Sequence, residues 1–497
     1  MSLLNLPSEI LTLVLLPLDL RSLISCSETS RHVKAVIDGS PLLQYRLASQ
    51  IACVEYIPPE NTHVTSSDRI SALAKLQNGF EELRPSSTHT VQMDNCPIMH
   101  SYGLAGGIFA MTEPARKAFR TLSLASIDIQ PPAWERLELS EYIYDFGLDP
   151  EQDLLVIISS VLHPDNPPPP DTGFNLRFYR LSTLSPHEEA PALIMLPSTS
   201  IVDWIDFEVD CCEDKVAVTV FFLHGSVDHL LVYDWKTGEL CLDLTDDDSY
   251  SACTFLSRDV LLLGKRSGTL DLWAFGRSPD YVCEREVSLL LPPLPPGLLY
   301  FPMRLEYSPK GQCYKGQQSR KFRASYAESV VALRITCEME EDRSLSKDWI
   351  VILSRKTLLQ HLQSPENRGV HLLWEQWGPS TSRWLPCDSD ASGRIWPTVI
   401  CGQRLIILRH GGFIQLLDFN QYRWRKSLAN GNATDRQDED ADEDQDGLGD
   451  VRLGYISKIS QQSVDWKGVM LDDEWIVGIN DTTDTDGKFS LEIWRFG

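Results

Sequence analysis

The chain has 497 residues, 42% of them apolar, and its 70 Asp and Glu outnumber its 45 Lys and Arg. At roughly 150 residues per domain this is chain for about three domains, with enough apolar content for a sizeable core. A formal net charge of −25 argues against a nucleic-acid backbone or an anionic membrane surface as the main partner, because like charges repel.

Twelve cysteines are spread over the whole length without a single Cys-x-x-Cys pair, so zinc-knuckle and thioredoxin spacings are absent. Pro7, Glu9 and Pro17 interrupt the apolar N-terminal residues, and no basic segment precedes them, unlike a secretory signal. The expectation is reduced, mostly buried thiols in a cytoplasmic or nuclear protein. The longest apolar run, 289–303, contains five prolines and is too short and too broken to span a bilayer.

Residues 1–84 read as helical. Pro7 suits a first helical turn, where its missing N–H is no loss. Ile10, Leu11, Val14, Leu15 and Leu18 recur at helical spacing until Pro17 ends or kinks the helix. Asp19 can cap the next helix. Residues 27–37 predict another, closed by Gly39. Ser40-Pro41 repeats the start signal, and Leu42, Leu43, Leu47 and Ile51 follow on one face. Beyond Pro58 and Pro59, Ser67 and Asp68 open an amphipathic helix with the stripe Ile70, Leu73, Leu76, Phe80 and Leu83, stopped by Pro85.

From about residue 90 short apolar strands alternate with turn signals. Leu154 to Ile158 and Val216 to Phe222 read as buried strands. Leu230 to Leu244 reads as a hairpin around Trp235-Lys-Thr-Gly238, and Val260 to Phe275 as another around Lys265-Arg-Ser-Gly268. Strands continue at 350–353, 404–408, 413–419, 475–479 and 489–496. They group into about seven units, near 92–130, 140–184, 203–245, 250–290, 300–362, 371–427 and 455–497. A period of roughly 40–60 residues predicts four-stranded blades of a β-propeller; a β-sandwich or two smaller all-β domains are the alternatives. The recurring marks are the endings 232–235, 270–273, 416–419 and 491–494, each with an aromatic suited to packing between blades. The expected fold class is therefore α+β and multidomain: a helical domain at 1–50, a helical linker at 51–90 and a β-propeller of about seven blades at 91–497. Within the last, residues 435–450 carry nine acidic residues and one Arg, which predicts a disordered acidic loop. The proline clusters at 164–170 and 292–296 predict stiff loops.

No catalytic pattern emerges. Asp442-x-Asp444-x-Asp446-Gly447 resembles the start of an EF-hand loop, but Leu453 stands where the closing Glu belongs. Asp484-x-Asp486-Gly487 lacks its closing acid in the same way. Gly264 to Gly268 is one residue short of a nucleophile elbow, and there is no phosphate-binding loop, dinucleotide fingerprint or His-Glu-x-x-His. His224 and His229 flank a turn and read as structural. Hence no catalytic residue, metal or cofactor is expected, and the chain is expected not to be an enzyme.

The N-terminal residues are the specific part. Leu6-Pro-Ser-Glu-Ile-Leu11, Asp19-Leu-Arg-Ser-Leu23, Cys26, Ser30-Arg31 and Val36 resemble the F-box, and 41–47 resembles the tail of F-boxes in a large fungal group with a long β-rich region. The chain departs from that pattern in a short 11–19 stretch, in His32-Val33 after the Ser-Arg pair, and in Leu43 or Tyr45 where a late Trp is usual. The resemblance implies a substrate-recognition subunit of a Skp–cullin–F-box ubiquitin ligase. Its F-box would dock on the Skp adaptor, and through it on cullin, while the propeller binds the protein to be ubiquitinated. Leu6, Pro7, Ile10, Leu11, Leu15, Leu18, Leu20 and Leu23 are the expected adaptor contacts, each equally well explained as internal core of the helical unit. Neither nucleic acid nor membrane is an expected partner. The alternative function is a non-catalytic scaffold propeller that assembles no ligase.

Overall fold

In the computed structural model the N-terminal helices start where side chains can satisfy free backbone donors. Residues 6–57, 64–94, 101–115, 118–127, 133–161, 173–196, 205–222, 229–245, 250–276, 283–294, 298–307, 321–339, 347–387, 399–430, 453–481 and 488–497 are described. Helix α1 spans Ser8–Leu15, with Pro7 as its N-cap rather than its first turn. Helix α2 spans Leu20–Thr29, and Asp19 caps it by accepting from the Ser22 N–H at 2.9 Å. Helix α3 spans Arg31–Gly39 and α4 spans Pro41–Ala52. The helix expected over 27–37 thus starts four residues later, at Arg31, and Ser27 to Thr29 belong to α2. Ser30 is extended, with φ −152°, and its hydroxyl accepts from the His32 N–H at 3.2 Å, which starts α3 anew. Helix α5, Ser66–Glu82, opens one residue before the expected start, on a reciprocal capping box between Thr65 and Asp68.

Between α4 and α5 the strand Val54–Tyr56 pairs antiparallel with Phe322–Ala324, which lies far along the chain. The described residues of the stretch 51–90 therefore pack against the β-region. Leu73, Leu76, Phe80 and Leu83 of this stretch share one apolar cluster with strands 400–417 and 469–493.

The β-region is a seven-bladed propeller. Among the described residues its seven sheets each hold four blade strands in antiparallel order. Blades 1 to 4 comprise 102–138, 142–195, 205–245 and 250–290, close to the units read from sequence. Blade 5 runs over 298–387 and blade 6 over 400–463, later than expected. The cause is an insertion between the third and fourth strands of blade 5. It holds α6 (Arg355–Gln363), the strand Val370–Leu372 and α7 (Trp374–Thr381). Its strand leaves blade 5 and pairs parallel with Val287 to Leu289 on the outer edge of blade 4. Blade 6 carries a further helix, α8 (Gln421–Ala429), between its third and fourth strands.

Blade 7 takes its first three strands from 468–495 and its outer strand, Ser87–Asp94, from just after α5. The register Ser87↔Arg495 to Asp94↔Lys488 closes the ring. Closure joins the two ends of the chain by backbone hydrogen bonds and removes two free sheet edges.

A repeated device locks the blades. At the end of the third strand, Ile127, Leu181, Trp235, Phe275, Phe419 and Phe496 are buried apolar residues. Each donates its backbone N–H to a carbonyl in the turn between strands one and two of its own blade, at 2.8 to 3.0 Å. Blade 5 has Arg355 at this position, 2% exposed. Its guanidinium donates to the carbonyls of Phe255, Leu256 and Tyr326 and to the Ser329 hydroxyl, at 2.5 to 3.1 Å. It thereby ties blade 5 to blade 4.

The acidic loop at 435–450, the cluster 164–170, residues 295 and 296, His224 and both acidic-glycine motifs lie outside the described residues. No helix among the described residues is long and apolar enough to cross a membrane.

Candidate protein-docking surface

Helix α1 is apolar on two sides, and the structure separates them. Leu11 and Leu15 turn inward with Leu23, Val33, Val36, Ile37 and Leu43 to form the interior of a small helical unit; Leu20 is buried outside that cluster. Ile10, Leu13 and Val14, one helical turn apart on the other side, are exposed by 46, 62 and 43%. Ile24 of α2 adds a fourth exposed apolar side chain at 45%. The five other apolar clusters lie in the interior, so an uncovered aliphatic row along the eight-residue α1 is a candidate surface for a protein partner.

The expected contact residues divide accordingly. Pro7 and Ile10 are exposed, Leu6 and Leu18 are half-buried, and Leu11, Leu15, Leu20 and Leu23 are buried in the free chain. Leu13, Val14 and Ile24 belong to the exposed row; Val14 was read as part of the apolar stripe but not as a contact, and Leu13 and Ile24 were not singled out. The available signal was a second i, i+3, i+4 series, Ile10-Leu13-Val14, offset by one residue from the buried Leu11-Leu15 pair.

Electrostatics at this end are light. The Asp19 carboxyl is held below its usual range by the Ser22 hydroxyl and backbone N–H. No carboxylate lies within the Ile10-Leu13-Val14 row itself.

The helical unit is fixed to the propeller rather than tethered to it. Phe80 stacks on Phe496 with ring centroids 4.2 Å apart, and the Arg404 guanidinium lies 4.1 Å from the Phe80 centroid. Gln77 Oε1 accepts from Arg404 at 2.7 Å and from Arg423 at 2.8 Å, and Glu81 pairs with Arg423. Asn420 Nδ2 donates to the Ile51 carbonyl at 2.7 Å. Burial lowers the Arg404 pKa, and Asp418 opposes that shift. All these contacts fall on the face of the propeller that carries the turns between first and second strands. The turns between second and third strands lie on the opposite face, away from the helices.

The described residues hold one cluster with metal-like composition: Cys401, Asp472 and Asp473, whose ligand atoms lie within 4.8 Å of one another. Asp472 accepts the Gly107 N–H at 2.5 Å, and Asp473 accepts the Ala324 N–H at 2.5 Å and the Cys401 thiol at 3.4 Å. Arg323 and Arg404 line the same small cavity. Two guanidiniums facing a site already filled with hydrogen bonds disfavour a cation, so these groups act as caps that join blade 7 to blade 1 and to Phe322–Ala324. His229 sits half-buried in a strand of blade 3.

Residues 3–45 match the F-box domain model. No curated protein matches the chain. Among solved structures, a chain of a mitotic checkpoint complex is similar over 83% of this chain and 95% of its own, with 8% identity and a TM-score of 0.38. The C-terminal WD40 domain of Sif2 is similar over 82% and 97%, with 11% identity and a TM-score of 0.38. The computationally designed Ika4 protein covers 36% of this chain, and 92% of its own length, with 14% identity and a TM-score of 0.24. The chain carries an F-box domain at residues 3–45, followed by a seven-bladed β-propeller.

Proposed function

We propose that this chain is the substrate-recognition subunit of a Skp–cullin–F-box ubiquitin ligase. The observation that carries the reading is the exposed row Ile10, Leu13 and Val14, with Ile24 beside it, inside the matched F-box segment. An adaptor with an apolar groove would cover this row in a helix-in-groove mode. The buried Leu11, Leu15 and Leu23 support it from behind by fixing the spacing of α1 and α2.

The propeller then holds the protein to be ubiquitinated. It makes and breaks no bonds. Its contribution is to raise the effective concentration of the target near a ubiquitin-charged enzyme. The joint at Phe80, Gln77, Glu81, Arg404 and Arg423 suits that work, because a rigid connection fixes where the target stands relative to the adaptor. With the helical unit on one face, the opposite face of the ring is left for the target. Loops held by a rigid body make good binding surfaces.

Reconstitution tests the reading. Full-length chain mixed with purified Skp adaptor, cullin and its ring-finger partner should elute as one complex. A chain that stays separate from the adaptor at micromolar concentrations would contradict the reading.

A further inference from the structure

We infer that the outer surface of blade 6, formed by α8 and the strand Ile456–Ser463, is a second docking surface, fitted to an acidic segment with apolar anchors on a partner protein.

The surface stands out by charge. The protein carries −25 overall, yet residues 419–430 and 453–464 contain no Asp or Glu and four cations: Arg423, Arg425, Lys426 and Lys458. Arg423 is turned inward and neutralised by Glu81 and Asp418. Arg425, Lys426 and Lys458 are exposed, and none makes an ion pair among the described residues.

The geometry of α8 explains the division. Gln421 and Trp424 face the propeller: Gln421 Nε2 donates to the Gly454 carbonyl at 2.7 Å, and the Trp424 ring covers Gly454 so closely that no Cβ would fit there. Tyr422, Arg425, Lys426 and Ala429, spaced i, i+3, i+4 and i+7, then share the outward side, and all are exposed. Tyr422 is 41% exposed, and Ile459 on the neighbouring strand 49%. Ile51 of α4, whose carbonyl is held by the residue that caps α8, is also exposed.

Cations that make no ion pair among the described residues, on the same helix face as the exposed Tyr422 and on the same blade as the exposed Ile459, match a segment in which Asp or Glu alternates with apolar residues. The cations would steer and orient it, and the apolar groups would supply contact area. The chain's own residues 435–450, with nine acids, join α8 to the outer strand of the same blade. They are the natural competitor, at the high effective concentration of a tethered segment. This surface is separate from the Ile10 row, and its test needs no adaptor.

The test is fluorescence anisotropy with a labelled twelve-residue peptide of alternating Glu and Leu and one central Trp. It is titrated with the full-length chain and with a full-length chain whose 435–450 acids are changed to Asn and Gln. The neutralised chain should bind more tightly than the natural one, and the binding should weaken with added salt. Arg425→Glu with Lys426→Glu, in either background, should weaken it at least tenfold with no change in thermal midpoint. Reversal of the exposed Arg31 and Lys34 of α3 to Glu serves as the charge-matched control and should leave binding unaltered. Equal losses from both reversals would reveal a response to net charge alone and overturn the proposal, as would absence of binding to the neutralised chain.

Discussion

Phe80, in the last turns of α5, lies flat against Phe496, the residue that ends the third strand of blade 7, with ring planes 14° apart. One aromatic pair thus joins the helical N-terminus to the seam at which the ring closes. Ser87–Asp94 leaves α5 after only four residues and becomes the outer strand of that same blade.

Phe80→Ala removes one side of the pair and opens a cavity in a cluster shared by α5 and blades 1, 5, 6 and 7. The expected loss is about 3–5 kcal/mol for a buried Phe. Thermal unfolding followed by tryptophan fluorescence should show a lower midpoint. Hydrogen exchange should show earlier loss of protection in both α5 and Ser87–Asp94 than in blades 2 to 4. Equal protection in all blades would show that the seam does not depend on this contact.

Arg355 replaces the apolar residue that six other blades use at the same position. Burial drives its pKa well down, and the nearby Cys212 and Asp210 oppose this. Arg355→Ala would strand three carbonyls and a hydroxyl that the guanidinium now satisfies, at a cost of roughly 3 kcal/mol or more. Arg355→Lys should recover little, since one ammonium cannot span donors to blades 4 and 5 together. Denaturant midpoints of the two variants within experimental error of the natural protein would refute this role.

Glu141 carries a testable pH signature. Burial pushes its carboxyl up, but hydrogen bonds from Arg177, Ser159 and Asn175 outweigh that and hold it at about 2. A carboxyl lowered in the folded state stabilises fully above its unfolded value, near 4.3, and that contribution disappears as pH falls towards 2. Glu141→Gln should therefore lower stability at pH 7. It should also flatten the decline in stability between about pH 5 and 2. A variant whose stability falls as steeply as the natural chain's over that window would rule out this assignment.

The helix starts were legible because capping is local chemistry. Asp19 and the Ser40-Pro41 pair bond to atoms two or three residues away, and both act as read. The break at Ser30 was placed too early, before Ser27, because the apolar spacing continues across it while the backbone there does not. Blades 1 to 4 were legible because hairpins such as 230–244 keep short turns, with Gly238 at φ +79°. Blades 5 and 6 slipped because α6, α7 and α8 interrupt the strand rhythm, and α6 and α7 pack on the neighbouring blade 4 as well as on their own blade. Trp377, for example, donates its indole N–H to the Leu290 carbonyl of blade 4, a contact that no local pattern encodes. The docking row was half legible for a similar reason. Ile10 and Leu11 are equally apolar neighbours, and only the packing of α2 and α3 against α1 decides which one turns inward.

The most direct measurement is calorimetric titration of the Skp adaptor into the full-length chain, its Ile10→Asp Leu13→Asp variant and its Met195→Asp variant. Met195 is 70% exposed on the rim of blade 2 and serves as a control for a charge placed on an exposed apolar site. Carboxylates buried in an apolar contact should abolish binding at α1, while the Met195 variant binds as the natural chain does. Both variants should keep the natural thermal midpoint, since neither touches the Leu11 interior. Full-strength binding by the Ile10→Asp Leu13→Asp variant, or no binding by the natural chain, would contradict the account.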